Sequence, residues 1–295
     1  MARVLVVEDN PVNMKLAVFL LQNAGHHVLC AVDAELALTT ARAQRPDLIL
    51  MDYQLPVMDG LAATALLKQH PNTATIPVVM VTALTLPSAA LGDAPHPFDA
   101  CVCKPLRYQE LYAVVNTLLS KKPRQAIDIC QGSPAIALQT PQATVAASGA
   151  PQVGQALAAV VDVRVLEALV GHNPPVVRGL LAEFETSAAA IGLELQAACA
   201  ARQAVFAGQL AHKLKSAACA VGAAALGQRC ATMEAVGKAG DSQYLATLWP
   251  LLALELQAVH QFLEAFLASA LPHPIASGCA HAPAVMRPVG QAMAD

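Results

Sequence analysis

Charge is scarce in this chain of 295 residues: 13% of positions are Asp, Glu, Lys or Arg, and the formal net charge is -3. That balance leaves no basic footprint for nucleic acid. Aromatic residues make up only 4%, with a single Trp, so any core must rest on Leu, Val and Ala. The eight cysteines are scattered, with no CxxC pair, and are expected to be reduced structural thiols rather than a disulfide framework or metal site. Long apolar runs are missing too. The longest uncharged stretch, Ile129 to Val161, is broken by Pro134, Pro141 and Pro151, which excludes a membrane span. The opening MARVLVVEDN has a short apolar stretch ending in acids, not a signal-peptide pattern. The expectation is a cytoplasmic protein without direct membrane contact.

What is present divides into two unlike halves. Over residues 1–120, short apolar runs alternate with amphipathic stretches. Val4 to Val7, Val28 to Val32, Leu48 to Met51, Val78 to Val81 and Ala100 to Cys103 read as strands. Asn10 and Asp33 are placed to cap the helices that follow the first two, with Pro11 at a first helical position. Helices are expected at Gly60 to His70 and Leu106 to Leu119. Strands apolar throughout and separated by helices imply a parallel sheet covered on both faces. The expected fold is an α/β doubly wound five-stranded parallel sheet. Residues 121–158 lack periodicity and are rich in Gln, Pro, Ala, Gly and Ser, the composition of a flexible linker. Residues 159–269 are helical in pattern, with stripes such as Phe206, Leu210, Leu214, Ala217 and Val221, and predict an all-α antiparallel four-helix bundle. Residues 270–295 read as a disordered tail.

Three acids fall at strand ends of the first half: Glu8 and Asp9 after the first strand and Asp52 after the third. Thr82 and Lys104 end the fourth and fifth. In a doubly wound sheet these ends meet where ligands bind. Clustered carboxylates repel, and an all-oxygen site that a divalent cation could neutralise suits Mg²⁺. Such a site fits phosphoryl transfer to Asp52, with cations on the phosphoryl oxygens.

VVEDNPVN at Val6 to Asn13, PDLILMDYQLPVMDG at Pro46 to Gly60, TAL at Thr82 to Leu84 and CKPL at Cys103 to Leu106 resemble the response-regulator receiver family, over the whole of residues 1–120. The resemblance implies Glu8, Asp9, Asp52 and the Gln54 backbone carbonyl as Mg²⁺ ligands, Asp52 as phosphoacceptor, and Thr82 and Lys104 as contacts to phosphoryl oxygens. Two departures stand out. Cys101 occupies the place of the family's usual aromatic on the fifth strand. The fourth helix, expected from Pro87 to Pro97, contains Gly92, Pro95 and Pro97, which shorten or break it.

In the second half, AHKLKSAACAVG from Ala211 to Gly222 puts Leu210, Leu214, Ala217 and Val221 inward and His212 outward, with Lys215 and Ser216 one turn on. An exposed neutral imidazole is a good nucleophile toward an acyl phosphate, and Lys215 can support the phosphoryl oxygens. The segment and its neighbouring helices resemble the histidine-phosphotransfer (HPt) family, which implies His212 as phosphohistidine. Ser216 stands where that family usually has glycine.

A receiver fused to an HPt domain is similar to the C-terminal part of a hybrid sensor histidine kinase. The arrangement implies a phosphoryl carrier rather than an ATP-dependent enzyme. Asp52 and His212 would exchange the phosphoryl group between a sensor histidine kinase and a downstream response-regulator receiver. The alternatives are a phosphorylation-tuned interaction module, or a phosphate sink without onward relay.

Overall fold

The structure is a computed structural model that describes residues 1–82, 96–104, 106–120, 127–128 and 160–269. Most of the expected fourth helix, most of the expected linker and the tail lie outside the described residues, and His96 and Pro97 at that helix's expected end are not helical.

In the first half, β1 (Arg3–Val7), β2 (His27–Ala31), β3 (Leu48–Asp52), β4 (Val78–Thr82) and β5 (Ala100–Cys103) alternate with α1 (Pro11–Asn23), α2 (Ala34–Gln44) and α3 (Gly60–Gln69), and α4 (Tyr108–Leu119) closes the unit. All strand pairings are parallel, in the order β2-β1-β3-β4-β5. One strand was not expected: β6 (Ile127–Asp128), from the stretch read as linker, pairs with β5 and makes the sheet six-stranded. Two residues show no alternation, so periodicity could not reveal it.

The central strands β3 and β4 are buried at every position, as apolar runs between two helical layers must be. Alternate residues feed two cores. Val4, Val6, Leu50, Val79 and Val81 meet α1 and α4 on one face, while Leu5, Val7, Ile49, Met51 and Met80 meet α2 and α3 on the other. Helix starts follow the expected chemistry: the Asn10 side chain accepts from Val12 and Asn13 N–H, and Asp33 accepts from Leu36 N–H.

In the second half, short α5 (Arg164–Val170) leads into α6 (Pro174–Ala200), α7 (Ala204–Val221), α8 (Ala224–Lys238) and α9 (Ser242–Ala268). Phe184, Leu195, Leu214, Leu226, Met233, Leu252 and Leu263 fill the bundle core. Phe206, read as part of the inward stripe, is instead 45% exposed, because the buried face at this end of α7 runs through Ala204, Ala207 and Gly208. Helices α7 and α8 cross at two glycines: a Cβ on Gly237 would lie 2.5 Å from Gly208 Cα. Only bare backbones approach so closely.

The two halves are in contact. α1 packs against α5, α6 and α7, and the sheet core on the α1 side is continuous with the bundle core. Helix α9 is long and apolar enough to cross a membrane by length and composition; here it packs as a bundle helix against α6 and α8. Among the described residues no cysteine is in a disulfide.

Candidate functional site

Register brings the site together. Val7 pairs with Met51, Asp52 with Val81, and Thr82 with Cys103. The strands therefore end level, with Glu8 and Asp9, Asp52, Thr82 and Lys104 at one edge, beside the β1/β3 reversal of strand order. Gly60 is required behind it, since a Cβ there would fall 2.0 Å from the Asp52 carbonyl oxygen.

Glu8 and Asp52 are buried, 5% and 4% exposed. Glu8, Asp9 and Asp52 can each present a carboxylate oxygen within 4.8 Å of the others. Lys104 Nζ donates to Glu8 Oε2 at 2.7 Å and to Asp52 Oδ2 at 2.8 Å. Burial raises the Asp52 pKa above the usual carboxylate range and the Glu8 charge adds to this, against the opposing pull of Lys104 and of the Gln54 N–H. Burial acts to lower the Lys104 pKa, but Glu8 and Asp52 outweigh it and hold the ammonium above its ordinary range. Three oxygen donors with one buried lysine between them fit a hard divalent cation. Gln54 N–H donates to Asp52 Oδ1 at 3.3 Å. Thr82 is buried at the end of β4.

His212 is not the open surface residue that its helical position suggested. Its side chain is 14% exposed, and Nδ1 lies 2.9 Å from Glu234 Oε1 on α8. Lys215 and Lys238 also donate to Glu234. Burial would raise the Glu234 pKa, but hydrogen bonds from His212, Lys215 and Lys238 prevail and hold it well below the usual range. An ionised carboxylate only accepts, so Nδ1–H is the donor in this contact. Glu234 escaped sequence reasoning, although a lone acid on the apolar stripe of Leu226, Cys230, Met233 and Gly237 was the available signal.

The acidic edge faces α7. Asn10 Nδ2 donates to the Lys213 carbonyl at 2.9 Å, and Asn13 Nδ2 donates to Ser216 Oγ at 2.8 Å. Lys213 Nζ lies 3.1 Å from Asp9 Oδ2. Lys15 reaches Glu183 at 3.2 Å and the Gly179 carbonyl at 3.0 Å. A small void at this junction is lined by Glu8, Asn13, Lys104, Ser216 and Ala220, so the acidic site opens onto the histidine helix.

Comparisons with known proteins match a family model to each half of the chain. The response regulator receiver domain model matches residues 4–116, and the Hpt domain model matches residues 179–262. The polar-differentiation response regulator DivK of Brucella anthropi is 35% identical over 116 residues, covering 39% of this chain and 94% of that protein. Protein PilH of Pseudomonas aeruginosa is 31% identical over 120 residues, covering 41% of this chain and 99% of that protein. Among solved structures, the receiver domain of sensor histidine kinase PA1611 from Pseudomonas aeruginosa PAO1 shares 31% identity at a TM-score of 0.37, covering 40% of this chain and 98% of that one. The chain therefore belongs to the response-regulator receiver family, and with the Hpt domain in its second half it joins two non-kinase modules of two-component phosphorelay in one polypeptide.

Proposed function

We propose that Asp52 accepts a phosphoryl group and exchanges it with His212 of the same chain, and that His212 passes it to the receiver of a partner response regulator. The observation that carries this reading is the seating of the acidic edge on the histidine helix, through Asn13–Ser216 and Asp9–Lys213.

The chemistry follows from the positions. A carboxylate oxygen of Asp52 attacks phosphorus in line, and the donor's leaving oxygen or nitrogen departs. The acyl phosphate on Asp52 is then open to attack by Nε2 of His212, which forms the P–N bond as the P–O bond to Asp52 breaks. Glu8, Asp9, Asp52 and the Gln54 carbonyl would hold Mg²⁺, which when bound neutralises charge on the phosphoryl oxygens. Lys104 and the Thr82 hydroxyl contact the remaining oxygens. Glu234 holds the His212 ring in one tautomer and keeps Lys215 beside it. The same residues serve flow in either direction.

The domain boundaries that go with this reading are a receiver over 1–120, a linker from 121 that first contributes β6, an HPt bundle over 159–269 and a tail from 270. The partners are a sensor histidine kinase and a downstream receiver, and the setting is cytoplasmic. Phosphotransfer profiling against candidate kinases and receivers, with wild type, Asp52→Asn and His212→Gln, tests the reading. Label should reach His212 only through an intact Asp52 or an external receiver.

A further inference from the structure

The part-buried hydrogen bond from Asn13 to Ser216 is the least ordinary part of the interface. Asn13 is 6% exposed. One of its amide hydrogens serves Ser216 Oγ at 2.8 Å and the other Glu8 Oε1 at 3.2 Å. Glu8 Oε1 also accepts from Asn10 N–H at 3.2 Å. The amide is thus held from behind by a carboxylate and offers its remaining hydrogen to α7. The other polar contacts discriminate less, Asp9–Lys213 being a partly exposed ion pair. Lys15–Glu183 is solvent-exposed, and such pairs contribute little. The Lys213 carbonyl that meets Asn10 is backbone, the same whatever side chain stands there.

We propose that the Ser216 hydroxyl is a recognition element that selects receivers presenting an amide at the third position of their first helix, this chain's own receiver being the occupant that the structure shows. This deepens the phosphorelay reading and rests on it. A glycine at 216 would leave the Asn13 amide hydrogen without a partner at a nearly closed contact. An aliphatic residue at 13 would take away the hydroxyl's partner on the receiver. Each mismatch costs more than the matched pair gains. Because an external receiver must approach His212 over the same face of α7, the chain's own receiver and an external one exclude each other. Asn13 thereby helps decide how long His212 is kept for internal use.

The test uses full-length chains in pairs. A His212→Gln chain, phosphorylated on Asp52 with acetyl phosphate and Mg²⁺, is the donor; an Asp52→Asn chain is the acceptor. The readout is the rate at which acid-labile, base-stable label appears on the acceptor, normalised to the label carried by the donor. With Ser216→Gly in the donor, so that its own bundle offers Asn13 no hydroxyl, Asn13→Ala in the donor should slow transfer roughly three- to tenfold, the worth of one hydrogen bond. The same substitution in the acceptor should accelerate transfer, because the acceptor's own receiver no longer holds the face. Ser216→Gly in the acceptor should abolish the effect of the donor substitution. Slowing of equal size whichever chain carries Asn13→Ala, or a donor effect that persists with Ser216→Gly in the acceptor, would overturn the proposal. If wild type itself never acquires label on His212, the phosphorelay reading fails instead, and the two failures are told apart by that control.

Discussion

Nδ1 of His212 and Oε1 of Glu234 lie 2.9 Å apart across the α7/α8 crossing, with Lys215 and Lys238 on the same carboxylate. The histidine is therefore oriented from behind by one buried acid. Glu234→Gln keeps an acceptor but loses its charge, and charge-assisted bonds are worth about 1.5–3 kcal/mol. Transfer through His212 should slow by at least about tenfold while Asp52 labelling by acetyl phosphate is unchanged. His212→Gln should abolish transfer and equally spare Asp52 labelling. Phosphorylation kinetics of the three chains, with ring ¹⁵N shifts to report the tautomer, check this.

The same carboxylate sets a pH dependence. The folded pKa of Glu234 lies below its unfolded value, through bonds from His212, Lys215 and Lys238 that outweigh burial. Its contribution to stability is therefore fully present above the ordinary glutamate range, about 4.3, and is lost as pH falls toward the folded value. Denaturant unfolding followed from pH 7 down to pH 3 should show bundle stability falling below about pH 4.5. Glu234→Gln should flatten that fall. An equally steep fall in the variant would show that other groups dominate.

The glycine crossing predicts a packing defect. A Cβ at Gly237 would meet Gly208 Cα at 2.5 Å and the Ala204 carbonyl oxygen at 2.8 Å, both backbone atoms that cannot swing aside. Gly237→Ala should destabilise the bundle by about 1–3 kcal/mol, in the range of overpacking. It should also slow transfer through His212, because Glu234 is one turn away. A thermal melt and a transfer assay measure the two effects.

The two halves should stay together when the chain between them is cut. Limited proteolysis within 129–159 is expected to give two fragments that co-elute, held by the continuous α1–bundle core and the Asn13–Ser216 contact. Leu214→Asp, which places a charge in the buried stripe, should unfold the bundle and release the receiver fragment. Fragments that separate in the wild type would mean that docking is weak.

The sheet and the acidic edge were legible because each rests on a local pattern. Four-residue apolar runs mark β1, β3, β4 and β5, and the residue after each run lies at the acidic edge. Asn10 was legible as a cap, but not as a donor to Lys213, since that contact joins residues 203 positions apart. Glu234 and the domain docking were invisible for the same reason: sequence period reports which face is apolar, not what that face meets. Phe206 shows the opposite error: its spacing of four from Leu210 fits the stripe, but at that end of α7 the small residues Ala204, Ala207 and Gly208 face the bundle instead. All but the last two residues of the expected fourth helix, His96 and Pro97, lie outside the described residues.

Transfer within one chain is the central claim, and one comparison tests it most directly. Label placed on Asp52 of the wild type with acetyl phosphate and Mg²⁺ is followed to His212 over a range of protein concentrations, beside an equimolar mixture of Asp52→Asn and His212→Gln chains. Docked domains should give a first-order rate in the wild type that does not change with concentration, and a mixture that is far slower when dilute and accelerates with concentration. A mixture as fast as the wild type at the lowest concentration would contradict the account.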